Sequence, residues 1–409
     1  MSLREKIEEE IRARGPIPFS RYMDLCLYDP EFGYYAKNAE QFGKAGDFYT
    51  SSDVHAVFGR VLARQFEEMW RALDSPALFE ILELGPGRGL FAQDVLDWSE
   101  KKFPQFFSTL RYSLVEASPA LRKRMQETLR RQLSLGRAAL LEPQEAAPRQ
   151  KNTPQAVSSG SHGVERASQG RQKTPPFHLP RALPPDIPVI VFANEFFDAL
   201  PVEVLSAGGE LRVDTRDSRF VETWVPASAD ALELLDRYGV HPEPGERVEA
   251  PLLAQKYISQ AGALIKRGFL IVIDYGYTRS EQLAGRHRGT VTAYRQHSVS
   301  ANPYQAPGEQ DITAHVNFTA LAAEAEKQGM TVHPLLTQSQ FLMGIGERNQ
   351  FADAFEDCRL PQERAKVALQ LKHLVTPAGL GENFHVLVAS RGVDPTEEAK
   401  VSGLTFGKR

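Results

Sequence analysis

The run FEILELGPGRGLF, Phe79–Phe91, constrains the fold of this chain more than any other stretch. Apolar residues lead into Glu83, glycines recur at 85, 87 and 89, and helix-compatible residues follow. That order predicts a strand, a tight turn whose backbone N–H groups can approach a ligand, and a helix start. A dinucleotide fingerprint spaces its glycines G-x-G-x-x-G. This turn reads G-x-G-x-G, with an acidic residue two places before the first glycine. A carboxylate there repels a pyrophosphate and suits a cationic sulfonium. The loop therefore reads as a site for S-adenosylmethionine (SAM), with Glu83, Gly85, Gly87 and Gly89 as cofactor residues.

Around that turn strands and helices alternate. The pattern predicts strands at 78–84, 111–116, 138–142, 187–193 and 268–274, and helices at 89–101, 119–134, 252–267 and 315–328. PVIVFAN and GFLIVIDYG are apolar on both faces, which predicts a parallel sheet covered on both sides. Two late strands, near 330–336 and 384–391, would close one edge. The fold class is α/β, a Rossmann-like doubly wound, mostly parallel sheet. Its core is expected from 76–143, 186–202, 251–277 and 313–392. The N-terminal 1–75 reads as helices (3–14, 18–28, 54–73) and an aromatic, glycine-rich loop covering the site. Phe58, Leu62, Phe66 and Met69 make a core stripe at helical spacing. Segment 144–185, rich in Pro, Ser, Gln and Gly, reads as a disordered insertion. Segment 203–250 alternates as an inserted β-meander cap, 278–312 is an irregular site loop, and 393–409 is a tail.

With 409 residues, 42% hydrophobic and 24% charged, the chain can bury a full core as one large domain with insertions or as two domains. A net charge of -4 gives no electrostatic footprint for nucleic acid or an anionic membrane. Cys26 and Cys358 lack the spacing of a metal, redox or disulfide framework. No apolar run is long enough to insert in a membrane, and the N-terminus is too acidic for a transit peptide, so a cytoplasmic location is expected.

In an open α/β sheet ligands bind beyond the carboxyl ends of the strands, so the residues there are the candidates. Glu116, after the second strand, is placed to accept both ribose hydroxyls of an adenosine, while Ser118 before Pro119 caps a helix. After the fourth strand, Asn194, Glu195 and Asp198 stand beside Phe196 and Phe197; polar groups there are costly to bury without a purpose, although capping a helix is an alternative use. Asp274 ends the fifth strand. Asp47 and Thr50 lie in a glycine-flanked segment that reads, on residues alone, as a polar loop. His315 reads as a cap or packed core group. No metal-ligand spacing and no G-x-S-x-G elbow occurs.

PIPFSRYMDLCLYDPEFGYY, GDFYTSSDVHAVFG, ELGPGRG, ANEFFDALPVE, IDYGY and GEQDITAHVNF, in this order, resemble the MidA-like family of SAM-dependent methyltransferases. That family includes a mitochondrial assembly factor for respiratory complex I. The resemblance spans nearly the whole chain except 144–185 and implies a class I methyltransferase fold. It further implies methylation of arginine on a protein partner, a complex I subunit or its bacterial counterpart. Residue by residue it implies cofactor roles for Gly85, Gly87, Gly89, Glu116, Asp47 and Thr50, and site roles for Asn194, Glu195, Asp198 and Asp274. Ser51-Ser52-Asp53 departs from the family's T-[AS]-P-[ED], and the absent transit peptide suggests a bacterial-type member. An arginine acceptor needs carboxylates that orient the guanidinium. Glu195 and Asp198, helped by Asp47 or Asp274, are expected to do so, with Phe32, Tyr34 and Tyr35 packing its plane. The alternatives are a non-catalytic SAM-binding assembly chaperone and, less favoured by the loop spacing, a nicotinamide-dependent oxidoreductase.

Overall fold

The structure is a computed structural model and describes residues 1–37, 56–141, 179, 187–295, 298–300 and 302–406. The main sheet has nine strands; along its length run β1 (Phe79–Leu84), β2 (Leu110–Val115), β3 (Ala138–Leu141), β4 (Val189–Asn194), β5 (Gly268–Tyr277), β6 (Thr331–Val332) and β7 (Phe384–Arg391), while the short strands Val316–Asn317 and Leu336–Thr337 pair with β5 and β7. Their spatial order is β6-β7-β5-β4-β1-β2-β3. β1 to β5 pair in parallel, whereas β7 runs antiparallel to both β5 and β6. The order reverses between β1 and β4, which is where a doubly wound sheet opens a crevice for a ligand.

The doubly apolar strands divide their side chains by period two. Ile190 and Phe192 of β4 join the core on one face with α3 (Ala56–Ala72) and α4 (Leu90–Lys102). Val189 and Val191 join the other with α6 (Leu252–Leu264) and α7 (Phe318–Lys327). The predicted stripe of Phe58, Leu62, Phe66 and Met69 lies in the first of these cores.

The cap is not a simple meander. Strands Glu203–Ser206, Gly209–Arg216, Arg219–Val225 and Val248–Ala250 form an antiparallel sheet that also takes in Ile17–Pro18, and helix Ala229–Tyr238 interrupts it. The N-terminal stretch is shared between two cores. Helices α1 (Leu3–Arg14) and α2 (Phe19–Tyr28) pack on the cap through Ile7, Tyr22 and Met23, while α3 covers the main sheet. A three-stranded sheet of Thr292–Arg295, Ser298–Ser300 and Asp311–Thr313 brings order to the stretch expected to be irregular. Helices Gln338–Glu347 and Pro361–Val375, between β6 and β7, were not anticipated from the sequence. Segment 144–185 lies outside the described residues apart from Leu179.

Candidate functional site

Two clusters face the crevice. In the first, β1 runs into Gly85, whose N–H donates to the Val115 carbonyl at 3.0 Å. The three glycines have different reasons to be glycine. All have positive φ, but a Cβ on Gly85 would come within 2.8 Å of the Phe196 ring, and one on Gly89 within 2.9 Å of Met125. Those two let the turn sit against its neighbours. A Cβ on Gly87 would meet no atom within 4 Å, so that backbone faces open space where a ligand can approach closely.

Glu116 leaves β2 and turns back on the loop. Its Oε2 accepts the Gly87 N–H at 3.2 Å, and its Oε1 accepts the Ser118 N–H at 2.8 Å. Each carboxylate oxygen has two lone pairs, so these bonds aim the group without exhausting it for a pair of ribose hydroxyls. Burial pushes its pKa up to about 7, against the pull of the Ser118, Gly87 and Ala117 backbone donors. Ser118 caps α5 (Pro119–Thr128) by accepting the Leu121 N–H. This cradle fits an adenosyl cofactor.

Glu83 departs from the sequence argument. Its carboxylate accepts the Tyr112 hydroxyl at 2.9 Å within the sheet, and burial pushes its pKa up to about 8. The Tyr112 bond crosses from β2 to β1, so the structure gives this carboxyl a part in tying the two strands together. Asp47 and Thr50 lie outside the described residues.

The second cluster starts where β4 ends. Asn194 Nδ2 donates to Glu195 Oε1 at 3.1 Å, and Glu195 holds a left-handed backbone (φ 50°) that a non-glycine residue adopts at a cost. The Glu195 N–H donates to the Ile273 carbonyl at 3.0 Å. Asp274, fully buried within β5, which runs on to Tyr277, corrects the expectation of a direct clamp. Its Oδ2 accepts the backbone N–H groups of Phe196, Phe197 and Asp198 at 3.1, 2.8 and 3.3 Å. Its Oδ1 takes the Tyr275 N–H at 2.8 Å. Asp274 thus shapes the turn that presents Glu195 and Asp198. Burial pushes its pKa up to about 8, opposed by those N–H donors and assisted by Glu195.

Burial, followed by the charges of Asp274, Glu195 and Asp311, also raises the Asp198 carboxyl well above its ordinary range. Asp311 was seen in the sequence only as part of a motif. The Ala314 N–H donates to the Asp198 carbonyl at 2.9 Å, which ties the Asp311–Thr313 strand to the turn after β4. Tyr28 donates its hydroxyl to the Ala199 carbonyl at 2.9 Å, and Tyr35 donates to Asp311 Oδ1 at 3.1 Å. These two rings, with centroids 5.5 Å apart, form an aromatic wall beside the carboxylates. His315 takes no part in this cluster: its Nδ1 lies 3.1 Å from that of His287, and burial holds it down at about 4. Among the described residues no group of His, Cys, Asp or Glu is arranged to hold a metal ion. Nor is any described helix long and apolar enough to cross a membrane.

The sequence model of a family described as "Putative S-adenosyl-L-methionine-dependent methyltransferase" matches residues 61–336. A Drosophila melanogaster protein named protein arginine methyltransferase NDUFAF7 homolog, mitochondrial, is 29% identical over 96% of this chain and 85% of its own. The Homo sapiens protein arginine methyltransferase NDUFAF7, mitochondrial, is 28% identical over 92% of this chain and 80% of its own. A Burkholderia thailandensis protein crystallised with S-adenosyl-homocysteine superposes with a TM-score of 0.75 at 27% identity, covering 96% of this chain and 92% of that one. The resemblance drawn from the motifs, the class I fold and the cofactor expectation are borne out by these likenesses, and the nicotinamide alternative falls.

Proposed function

We propose that this chain, which belongs to the family of S-adenosyl-L-methionine-dependent methyltransferases, transfers the methyl group to an arginine of a protein. The observation that carries the acceptor is the set of carboxylates Glu195, Asp198 and Asp311 gathered beside Tyr28 and Tyr35 at the carboxyl edge of the sheet. Like charges held together out of water repel, and a cationic planar acceptor offsets that repulsion. The names of the relatives point the same way. By family resemblance the protein acceptor is a respiratory complex I subunit or its bacterial counterpart, and the modification supports assembly.

Bound SAM supplies an electrophilic methyl carbon. The chain's part is positioning and charge. Glu116 and the Gly87 backbone hold the adenosyl end; Glu195 and Asp198 orient one guanidinium nitrogen and concentrate electron density on it. As the new N–C bond forms, the C–S pair returns to sulfur, and the proton leaving that nitrogen passes to Glu195. Asp274 keeps the turn in shape.

The test is methyl-amino-acid analysis by mass spectrometry of a strain lacking the chain, complemented with unmodified or E195Q protein. Methyl-arginine restored by the first and absent with the second is expected. Methylation lost from another residue type overturns the acceptor; function restored by E195Q without any methylation favours the non-catalytic chaperone.

A further inference from the structure

We infer that Ser118 is a positioning residue through which the occupied cofactor cradle holds the aromatic wall of the acceptor side, so that each ligand tightens the binding of the other. The acceptor side of this inference rests on the arginine reading above.

Ser118 meets three different parts of the molecule. Its N–H donates to Glu116 Oε1 at 2.8 Å, its Oγ accepts the Leu121 N–H at 3.2 Å, and its hydroxyl donates to the Tyr35 carbonyl at 2.7 Å. Capping α5 asks only for an acceptor, and an asparagine or aspartate caps a helix as well as a serine does. The hydroxyl proton is surplus to the cap, and it goes to a residue 83 positions away. Tyr35 lies in the helical turn Tyr34–Lys37, which packs against α5. Two routes lead from it to the acceptor side. Its hydroxyl donates to Asp311 Oδ1 at 3.1 Å. Its ring lies 5.5 Å from that of Tyr28, whose hydroxyl donates to the carbonyl of Ala199, the neighbour of Asp198. A ribose clamped by Glu116 therefore fixes the residue that fixes Tyr35. An acceptor then meets a wall already in place and has less to order, and by reciprocity an acceptor bound first readies the cradle.

Four substitutions separate the link from the cap. S118A removes the hydroxyl and S118T keeps it. S118D keeps an oxygen to cap α5 but sets an acceptor against the Tyr35 carbonyl. Y35F keeps that carbonyl and cuts the far end. Affinity for S-adenosyl-homocysteine is measured by calorimetry with and without a saturating synthetic pentapeptide that has a central arginine. Methyl transfer to that peptide, and to its lysine counterpart, is measured at saturating SAM. In the unmodified protein the arginine peptide should tighten S-adenosyl-homocysteine about fivefold, the scale of one hydrogen bond, and S118T should keep that ratio. S118A and S118D should bring the ratio to about one and raise KM for the arginine peptide about fivefold. Y35F should lower the ratio to about twofold, since one of the two routes remains. Loss of the cap alone lowers stability and leaves the ratio as it was. The full ratio in S118A, S118D or Y35F, or no tightening in the unmodified protein, overturns the inference and leaves the arginine reading standing. An unmodified protein that transfers to the lysine peptide as well as to the arginine peptide overturns that reading, and this inference with it.

Discussion

The donor and acceptor halves of the crevice are built in opposite ways. The donor half comes from two neighbouring βα turns: Gly85–Gly89 after β1 and Glu116–Ser118 after β2, joined by the Gly87–Glu116 bond. The acceptor half draws on distant pieces of chain: Tyr28 and Tyr35 from the N-terminal helices, Asn194–Asp198 after β4, Asp274 on β5 and Asp311 in a separate small sheet. A site made of local turns is stable with its sheet and can be altered one contact at a time. A site assembled from distant segments depends on whatever holds those segments in register.

Asp274 is where the comparison is most exposed to failure, because it serves both halves. Its carboxylate collects three N–H groups of the turn after β4, and that turn's Phe196 ring packs on Gly85. D274A strands those donors in a fully buried position, at a cost of about 1–3 kcal/mol for each one left unpaired. We expect a loss of about 3–5 kcal/mol of stability, read by chemical denaturation, with cofactor affinity and transfer both impaired. A D274A protein of unchanged stability would show that the turn holds itself, and the two halves would then be independent.

E195Q tests the separation directly. It keeps the size and the Asn194 contact and removes the charge that takes the leaving proton. Transfer should fall by about a hundredfold, within the range for loss of a general base, while SAM affinity measured by calorimetry stays the same. Equal losses of affinity and rate would place Glu195 on the donor side.

The same contrast explains what could be read from the sequence. The glycine turn, Glu116 and the parallel strands were legible because each is a local pattern: strand, turn and helix within a dozen residues, or apolar runs of strand length. Asn194–Asp198 was legible as a strand-end cluster, but the tie of Glu83 to Tyr112 was not, since only the sheet shows that Tyr112 meets it and that both are buried. Asp311 and Tyr35 are 276 positions apart, and no spacing rule connects them. The helix inside the cap was hidden by its β-rich surroundings, although Ser228 caps it with the ordinary N-cap bond to Ala231.

On the donor side Glu116 gives the next effect in size, with a pH signature. Its carboxyl sits near 7 because it is buried, whereas an unfolded chain releases that proton near 4.5. The folded state therefore holds the proton more tightly, and this group's contribution to stability falls as pH rises from about 4.5 to about 7. Ribose hydroxyls that donate to the ionised form, and a nearby sulfonium, pull the other way. SAM affinity should rise between pH 6 and 8 with release of a proton. E116Q should flatten that rise and weaken binding about tenfold at pH 8, with the peptide KM little changed. An identical pH slope in E116Q assigns the titration to another group.

The smallest effects discriminate most finely, because they compare two glycines two residues apart. Both have positive φ, so an alanine at either costs about 1 kcal/mol in backbone strain. At Gly89 the added methyl also meets Met125 and Leu129 at 2.9 and 3.2 Å, where α4 starts against α5, so G89A should lose about 2 kcal/mol in all. At Gly87 the methyl meets nothing within 4 Å, so stability should fall by the strain alone. That methyl nevertheless enters the space beside the N–H that Glu116 accepts. G87A should therefore weaken SAM binding more than G89A does while remaining the more stable protein. If denaturation and calorimetry rank the two variants in the same order, the open space at Gly87 is not where the cofactor lies.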